Sequence, residues 1–315
     1  MVTVKKGTPK RDGSSLSSLT SPLPFLEVDM KRLLLVLILC APVWAANKFS
    51  GDPNCVAVYR FESGALTTDS QGSNTLTMAY GYSTPPQEET SDYQEGACCT
   101  DLERSHVQHF YRTDANLPND FPGKNGQTTY GVSVVGYIKL EATTNGQPVA
   151  TKSGYLNKKG WNLTVMNFSS TGMVPKLMWA ISPSGTDYSQ GTYWPTQIQT
   201  GTWYHVAATF NNTTYAWTLD VWDVDANQRL GGGDPNSGTF DYPLNIDDGE
   251  LGVGADRSIS SNPLSYYALD GLLDEVAIFN DVLTADEIDQ IRSGTYGAPT
   301  GPIEGNAFQM YYNPN

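Results

Sequence analysis

Basic side chains are scarce in this chain: 19 Lys and Arg stand against 33 Asp and Glu, a formal net charge of −14. A surface of that sign repels phosphate backbones and excludes nucleic acid as a partner, because duplex binding relies on clustered Lys and Arg that release counterions. Cysteine is also sparse, with four in the chain, and three cysteines without paired-histidine spacing nearby do not make a zinc site. Histidine occurs three times, at His106, His109 and His205. The first two have helical spacing inside a β-rich stretch, where they would point to opposite faces of a polar surface strand. His205 sits within a strand just after Trp203 and is expected to make a structural hydrogen bond. No apolar run reaches the roughly 20 residues a helix needs to cross a bilayer. Missing too are Gly-x-Ser-x-Gly, His-Glu-x-x-His and a Gly-rich phosphate loop before a helix, which removes the commonest nucleophile, metalloprotease and nucleotide signatures.

The longest apolar run instead reads as an export signal. Lys31 and Arg32 precede Leu33 to Leu39, and Val43-Trp44-Ala45 supplies small residues at the −3 and −1 sites, so residues 30–45 form a signal peptide cut after Ala45. Met30 stands directly before the basic pair, and the polar, Ser-rich residues 1–29 read as an extension outside the fold. A lipoprotein at Cys40 is the rival, but Leu39 is not the small residue that processing wants. The expected location is secreted, extracellular or periplasmic, with no membrane insertion after cleavage. The processed chain keeps 13 basic and 30 acidic side chains, a charge of −17, for which extracellular calcium would be a natural counter-ion. In an oxidising compartment one disulfide is expected, from Cys55 to Cys98 or Cys99, worth about 4 kcal/mol in the chain-entropy model.

From residue 46 onward short runs of Val, Tyr, Thr, Trp and Phe alternate with clusters of Gly, Asn, Asp, Pro and Ser, the grammar of an all-β sandwich or barrel. Strands are predicted over 56–61, 131–140, 162–168, 175–181, 203–210, 216–224 and 272–279. In the second, Val132, Val134, Ile138 and Leu140 share one face while Val135 and Tyr137 share the other, which implies a central strand covered on both sides. Tyr204, Val206, Ala208 and Phe210 make a core face; Trp217, Leu219 and Val221 make another, opposed by Thr218, Asp220 and Trp222. Residues 225–228 turn the chain as a hairpin. One helix is predicted over 285–293, with Thr284 and Glu287 as capping box, Leu283 and Ile288 as hydrophobic staple and Gly294 as its end. No linker divides 46–297, read as one domain, and 298–315 is a polar tail.

Together Val58-Tyr59-Arg60-Phe61-Glu62 and Thr68-Asp69-Ser70 with Gly72, then Gly201-Thr202-Trp203-Tyr204-His205-Val206-Ala207, Leu251-Gly252-Val253-Gly254, Asp270 to Phe279 and Leu283 to Ile288 resemble the laminin-G-like (LamG) jelly-roll domains of the concanavalin A-like lectin/glucanase family. The resemblance spans about 240 residues and implies a sandwich of two antiparallel sheets whose first and last strands lie near each other. Two stretches depart from it, the long acidic segment 85–99 and the hairpin after Val224, and member-specific function is expected there. Many such domains hold calcium, and the resemblance points to Asp69 and Asp274 as its ligands.

The paired-carboxylate strand of the family's glucanases, Glu-x-Asp-x-x-Glu or Glu-x-Asp-x-Glu, is absent. Asp274 and Glu275 are adjacent and should point to opposite faces, the wrong geometry for retaining hydrolysis. Asp247-Asp248-Gly249-Glu250 reads as a turn, and Asp223-Val224-Asp225-Ala226-Asn227 imitates an EF-hand loop without its glycine. The chain therefore reads as an exported, non-catalytic recognition module for a glycan or surface polymer, with calcium as candidate cofactor. A structural or adhesive protein with protein partners is the alternative, and a polysaccharide-degrading enzyme the third. Sugars stack on aromatic rings beside polar groups, which makes Trp222 and Asp220 the first ligand candidates and the loop residues Trp194 and Tyr193 the next. Asn162, Asn167 and Asn212 begin N-glycosylation sequons.

Overall fold

A computed structural model describes residues 47–154, 158–167, 174–186, 190–256 and 267–297. The signal peptide and the polar tail lie outside these residues. Sixteen strands are found among the described residues: β1 Cys55–Tyr59, β2 Thr77–Ala79, β3 Gln87–Glu89, β4 Cys99–Leu102, β5 His109–Arg112, β6 Gly131–Leu140, β7 Gln147–Gly154 and β8 Lys158–Met166. The rest are β9 Lys176–Ile181, β10 Gln190–Tyr193, β11 Trp203–Asn211, β12 Ala216–Asp223, β13 Gln228–Arg229, β14 Asn236–Thr239, β15 Glu250–Val253 and β16 Gly271–Phe279. One sheet has nine strands in the order β13-β12-β11-β6-β16-β4-β3, with β1 also on β16 and β14 also on β12. The other has seven, β10-β9-β8-β7-β15-β5-β2. Every ladder is antiparallel, and the first strand pairs with the last through Tyr59 opposite Val276.

The core lies between the sheets, filled by the faces that period-two alternation marks out. Val132, Val134, Ile138 and Leu140 of β6 meet Tyr204, Val206, Ala208 and Phe210 of β11, with Leu219 and Val221 of β12 beside them. The other face of β6 is also covered, as its two-sided hydrophobicity requires. Val135 joins Phe49, Val58, Ala207, Ala277 and Phe279 under helix α1, Ala285–Arg292, the one long helix among the described residues. That helix begins with the expected capping box: Thr284 Oγ1 accepts from Glu287 N–H at 3.3 Å, and Thr284 N–H donates to Glu287 Oε2 at 2.8 Å. Leu283 and Ile288 pack into the same cluster.

Two expectations are corrected. The thiols of Cys55, Cys98 and Cys99 are all free and buried, with no disulfide among them. Cys55 lies opposite Phe279 at one end of β16, whereas Thr100, next to Cys99, lies opposite Leu273. Six residues of strand separate those positions, about 20 Å at the usual rise, against the ~7 Å limit on Cα separation for a disulfide. Second, Asp274 and Glu275 share a face. The register slips between Asp274 and Ala277, and Glu275 takes φ 48°. Leu273 and Val276 both point into the core, so the two carboxylates between them both lie on the outer side. The acidic segment 85–99 is bolted to the nine-stranded sheet. Asp92 accepts from Trp203 Nε1 at 2.6 Å and Lys139 Nζ at 2.5 Å, and the main-chain N–H groups of Gln94 and Glu95 donate to Asp274 Oδ2.

A polar face on the seven-stranded sheet

On β8 the residues Trp161, Leu163 and Val165 fill the core, so Asn162, Thr164 and Met166 face outward. Register extends that outer face across the sheet. Asn162 lies opposite Thr151, which lies opposite Gly252, which lies opposite Tyr111; on its other side Asn162 is paired with Ala180, and Ala180 with Gly191. The middle of this row carries only small side chains, a trough in the sheet face whose Thr151, Asn162 and Ala180 side chains are covered, at 0–3% exposure. A parallel row runs from Thr164 to Met178 to Tyr193 and supplies an apolar wall, with Met166 and Ala180 packed against it.

The trough is lined by hydroxyl, amide and carboxylate groups. Ser153 Oγ donates to Asp256 Oδ1 at 2.7 Å, Asn162 Nδ2 donates to Asp256 Oδ2 at 3.2 Å, and Ser153 Oγ lies 3.2 Å from Thr151 Oγ1. Two atoms break the pattern. Asn162 Oδ1 and Thr164 Oγ1 are buried without a hydrogen-bond partner, on side chains 3% and 1% exposed. An unpaired buried polar atom costs about 1–3 kcal/mol, and two such atoms lie on this one face. Glu250 opens β15 opposite Ser153 and faces the same side, so the segment read as a turn contributes a second acidic residue to this face.

The sequence candidates fall in different places. Tyr193 stands on the apolar wall of this face. Trp194, next in the chain, points the other way into the core at 1% exposure, its indole N–H bonded to Leu230 O, and offers no loop platform. Trp222 and Asp220 lie on the outer side of the other sheet and are engaged within the protein. Arg229 forks onto Asp220 at 2.6 and 3.1 Å, and the Arg292 guanidinium stacks 3.7 Å from the Trp222 ring centre. His205, between Tyr137 and Trp222 in the same row, makes no hydrogen bond through Nε2; burial and then nearby Arg292 lower its pKa to about 3, so it is neutral and packs edge-on against Tyr137.

Asp69 is held by the backbone: its oxygens accept from Val58, Gln71 and Asn74 N–H at 2.9–3.0 Å. Asp274 has one oxygen so engaged, while Oδ1 is buried without a partner. Burial raises its pKa to about 7. Arg60 pairs with Glu275 at 3.0 Å and with Glu95 at 3.5 Å, closing the two adjacent carboxylates off from any cleft. The sequon residues Asn162 and Asn167 are buried, and Asn212 binds Thr129 O and Leu244 N–H, so none stands out as a glycan acceptor. His106 and His109 do not come together as a strand pair; His106 ends a 3-10 turn, Arg104–His106, and His109 is buried in β5. Asp223 Oδ1 accepts from Ala226 N–H, an ordinary hairpin turn.

Composition and periodicity gave no reason to single out Asn162, Thr164, Thr151 or Ser153. The available signal was negative: on β7 and β8 the residues alternating with the core are polar and uncharged, where a solvent face usually carries Lys and Glu.

The tailspike protein 2 of bacteriophage CBA120 is similar in fold at 14% identity and a TM-score of 0.49, over 71% of this chain and 31% of that one. The CBM40 of a Ruminococcus gnavus IT-sialidase, bound to α2,3-sialyllactose, follows at 12% identity and 0.39, over 51% and 81%. A heptameric SAP-like pentraxin from Limulus polyphemus has 15% identity and 0.36, over 52% and 70%. This chain thus spans about a third of the length of the tailspike. No curated protein matches the chain. Residues 115–289, more than half of the chain, match the family model described as the concanavalin A-like lectin/glucanases superfamily, and to that superfamily, in its laminin-G form, the chain belongs.

Proposed function

We propose that this protein is an exported recognition module that binds a glycan in the polar trough on the outer face of the seven-stranded sheet, without cleaving it. The observation that carries the reading is the apolar wall ending in the half-buried Tyr193, with the unpartnered polar atoms Thr164 Oγ1 and Asn162 Oδ1 in its own and the neighbouring row. Polar groups that fix hydroxyls next to a surface that takes sugar C–H faces are what a carbohydrate site requires. Titration calorimetry of the chain from Ala46 onward against soluble polysaccharides tests it. Binding is expected to weaken at least tenfold in Asn162→Ala and Thr164→Val and to be unchanged in Trp222→Ala. Binding that survives both trough variants and fails in Trp222→Ala would move the site to the other sheet.

Calcium enters this proposal through Asp274 Oδ1 alone, since Asp69 has no oxygen clear of main-chain donors. A rise of the thermal midpoint with calcium against chelator, absent in Asp274→Asn, supports an ion there; no shift removes it. A second reading, a glycoside hydrolase, is favoured by one feature: Asp256 accepts from Ser153 Oγ, and Glu250 lies opposite Ser153 in the ladder on the same face. Two carboxylates on one face are the minimum for glycosidic hydrolysis. Release of reducing ends from a bound polysaccharide, abolished by Glu250→Gln, would establish it.

A further inference from the structure

Lys152 occupies a core position. Its ladder partners Trp161 and Leu251 both face the interior, and its own side chain is fully buried. The stem runs under Gly123, whose φ is 84°, so closely that a Cβ there would lie 3.2 Å from Lys152 Cγ and 3.5 Å from Trp161 Nε1. Nζ ends 2.9 Å from Asp114 Oδ1 and donates to the main-chain oxygens of Asp247 and Gly249. Asp114, in the 3-10 turn Asp114–Asn116, is itself buried, and its other oxygen lies 3.2 Å from Lys124 Nζ. Burial lowers the pKa of Lys152, against the pull of Asp114 and Asp247. A buried ion pair is weak as a stabilising device compared with apolar residues of the same volume. The three groups are instead arranged as the parts of a condensation.

We propose that Lys152 and Asp114 join in an intramolecular amide. One proton moves from the Lys152 ammonium to Asp114 Oδ1 across their 2.9 Å contact, which frees the amine lone pair. The amine then attacks Cγ and the N–C bond forms, while negative charge develops on Oδ2, which faces the Lys124 ammonium. Nζ gives a second proton to Oδ1, the C–Oδ1 bond breaks and water leaves. One ammonium and one carboxylate become one amide and one water, with no oxidant and no change in net charge. Lys124 acts here as a positioning and charge-stabilising residue that is not consumed. The bond ties the turn before β6 to β7 in the interior of the sandwich, and it stands independently of the glycan reading.

Mass spectrometry of the denatured protein tests this. The wild-type chain is expected to be lighter by one water, and proteolysis should give a branched peptide containing both Asp114 and Lys152. Lys152→Met and Asp114→Ala should each restore the full mass. Lys124→Met should leave a larger uncondensed fraction at equal incubation time. A full-length mass for wild-type protein after prolonged incubation overturns the proposal without any variant having to fold. So does a one-water loss that maps to linear peptides, the mark of cyclisation at a single aspartate.

Discussion

The left-handed backbone at Glu275 turns two consecutive carboxylates to one side of β16 and buries both. The cost falls on their ionised forms. Asp274, with burial as the leading cause, has its pKa raised from 3.8 to about 7, and Glu275 is also raised well above its ordinary value, by burial and then by Glu95. A raised folded pKa means that between about pH 4 and 7 the folded chain holds a proton the unfolded chain has released, so this contribution to stability is lost as pH rises through 7. His205 runs the other way: its folded pKa of about 3 lies below its ordinary 6.5, and its contribution is lost as pH falls from 6.5 towards 3. Asp274→Asn keeps a neutral side chain at every pH. Its urea midpoint is therefore expected to fall less between pH 5 and pH 8 than that of the wild type, by up to about 1.4 kcal/mol for each unit of the shift. Parallel midpoints for the two proteins would mean that Asp274 is not the group that titrates. Neither the bulge nor the burial is written in Asp-Glu as a dipeptide, and strict alternation assigns the pair to opposite faces.

At the scale of elements, α1 shows what local sequence can specify. Thr284, Glu287, Leu283 and Ile288 define the helix start through contacts within one turn, and the tertiary structure keeps them all. Thr284→Ala should lower stability by about 1 kcal/mol, read from the shift of a denaturant midpoint. A change near zero would mean that packing on Phe49 and Val135 fixes the helix without its cap. Strands β6, β11, β12 and β16 were equally legible, because one or both faces are continuously apolar. β7 was not. Thr151, Lys152 and Ser153 are all fully buried yet polar, so the hydrophobic pattern that announces a strand is missing where the trough on one side and the Lys152–Asp114 pair on the other replace it. The short strands β2, β3, β10, β13 and β14 carry too few apolar residues to stand out from turns, and only the ladders they join define them.

Over the whole molecule, connectivity decides which distant residues meet. Both β1 and β4 lie along the same edge of β16, end to end, and this arrangement separates Cys55 from Cys98 and Cys99. The thiols are correspondingly unreactive: burial raises the pKa of Cys98 to about 11 and pushes Cys55 and Cys99 further up. Thiol titration of the processed protein should find three slow groups in the native state and three fast ones after denaturation, and reductant should leave the thermal midpoint unchanged. A drop in midpoint with reductant would reinstate the disulfide.

The sequence by itself determined the strands with a continuously apolar face, the faces that fill the core, the capped helix and the superfamily, because alternation, capping and short motifs act over a few residues. Only the tertiary structure decided the rest. It directed Trp194 into the core, covered Trp222 with Arg292, and gathered Asn162, Thr164, Thr151, Ser153 and Asp256 from three regions of the chain onto one face. Those outcomes depend on register between strands and on which sheet each strand joins, and no spacing along a single chain encodes the distance between two of its sheets.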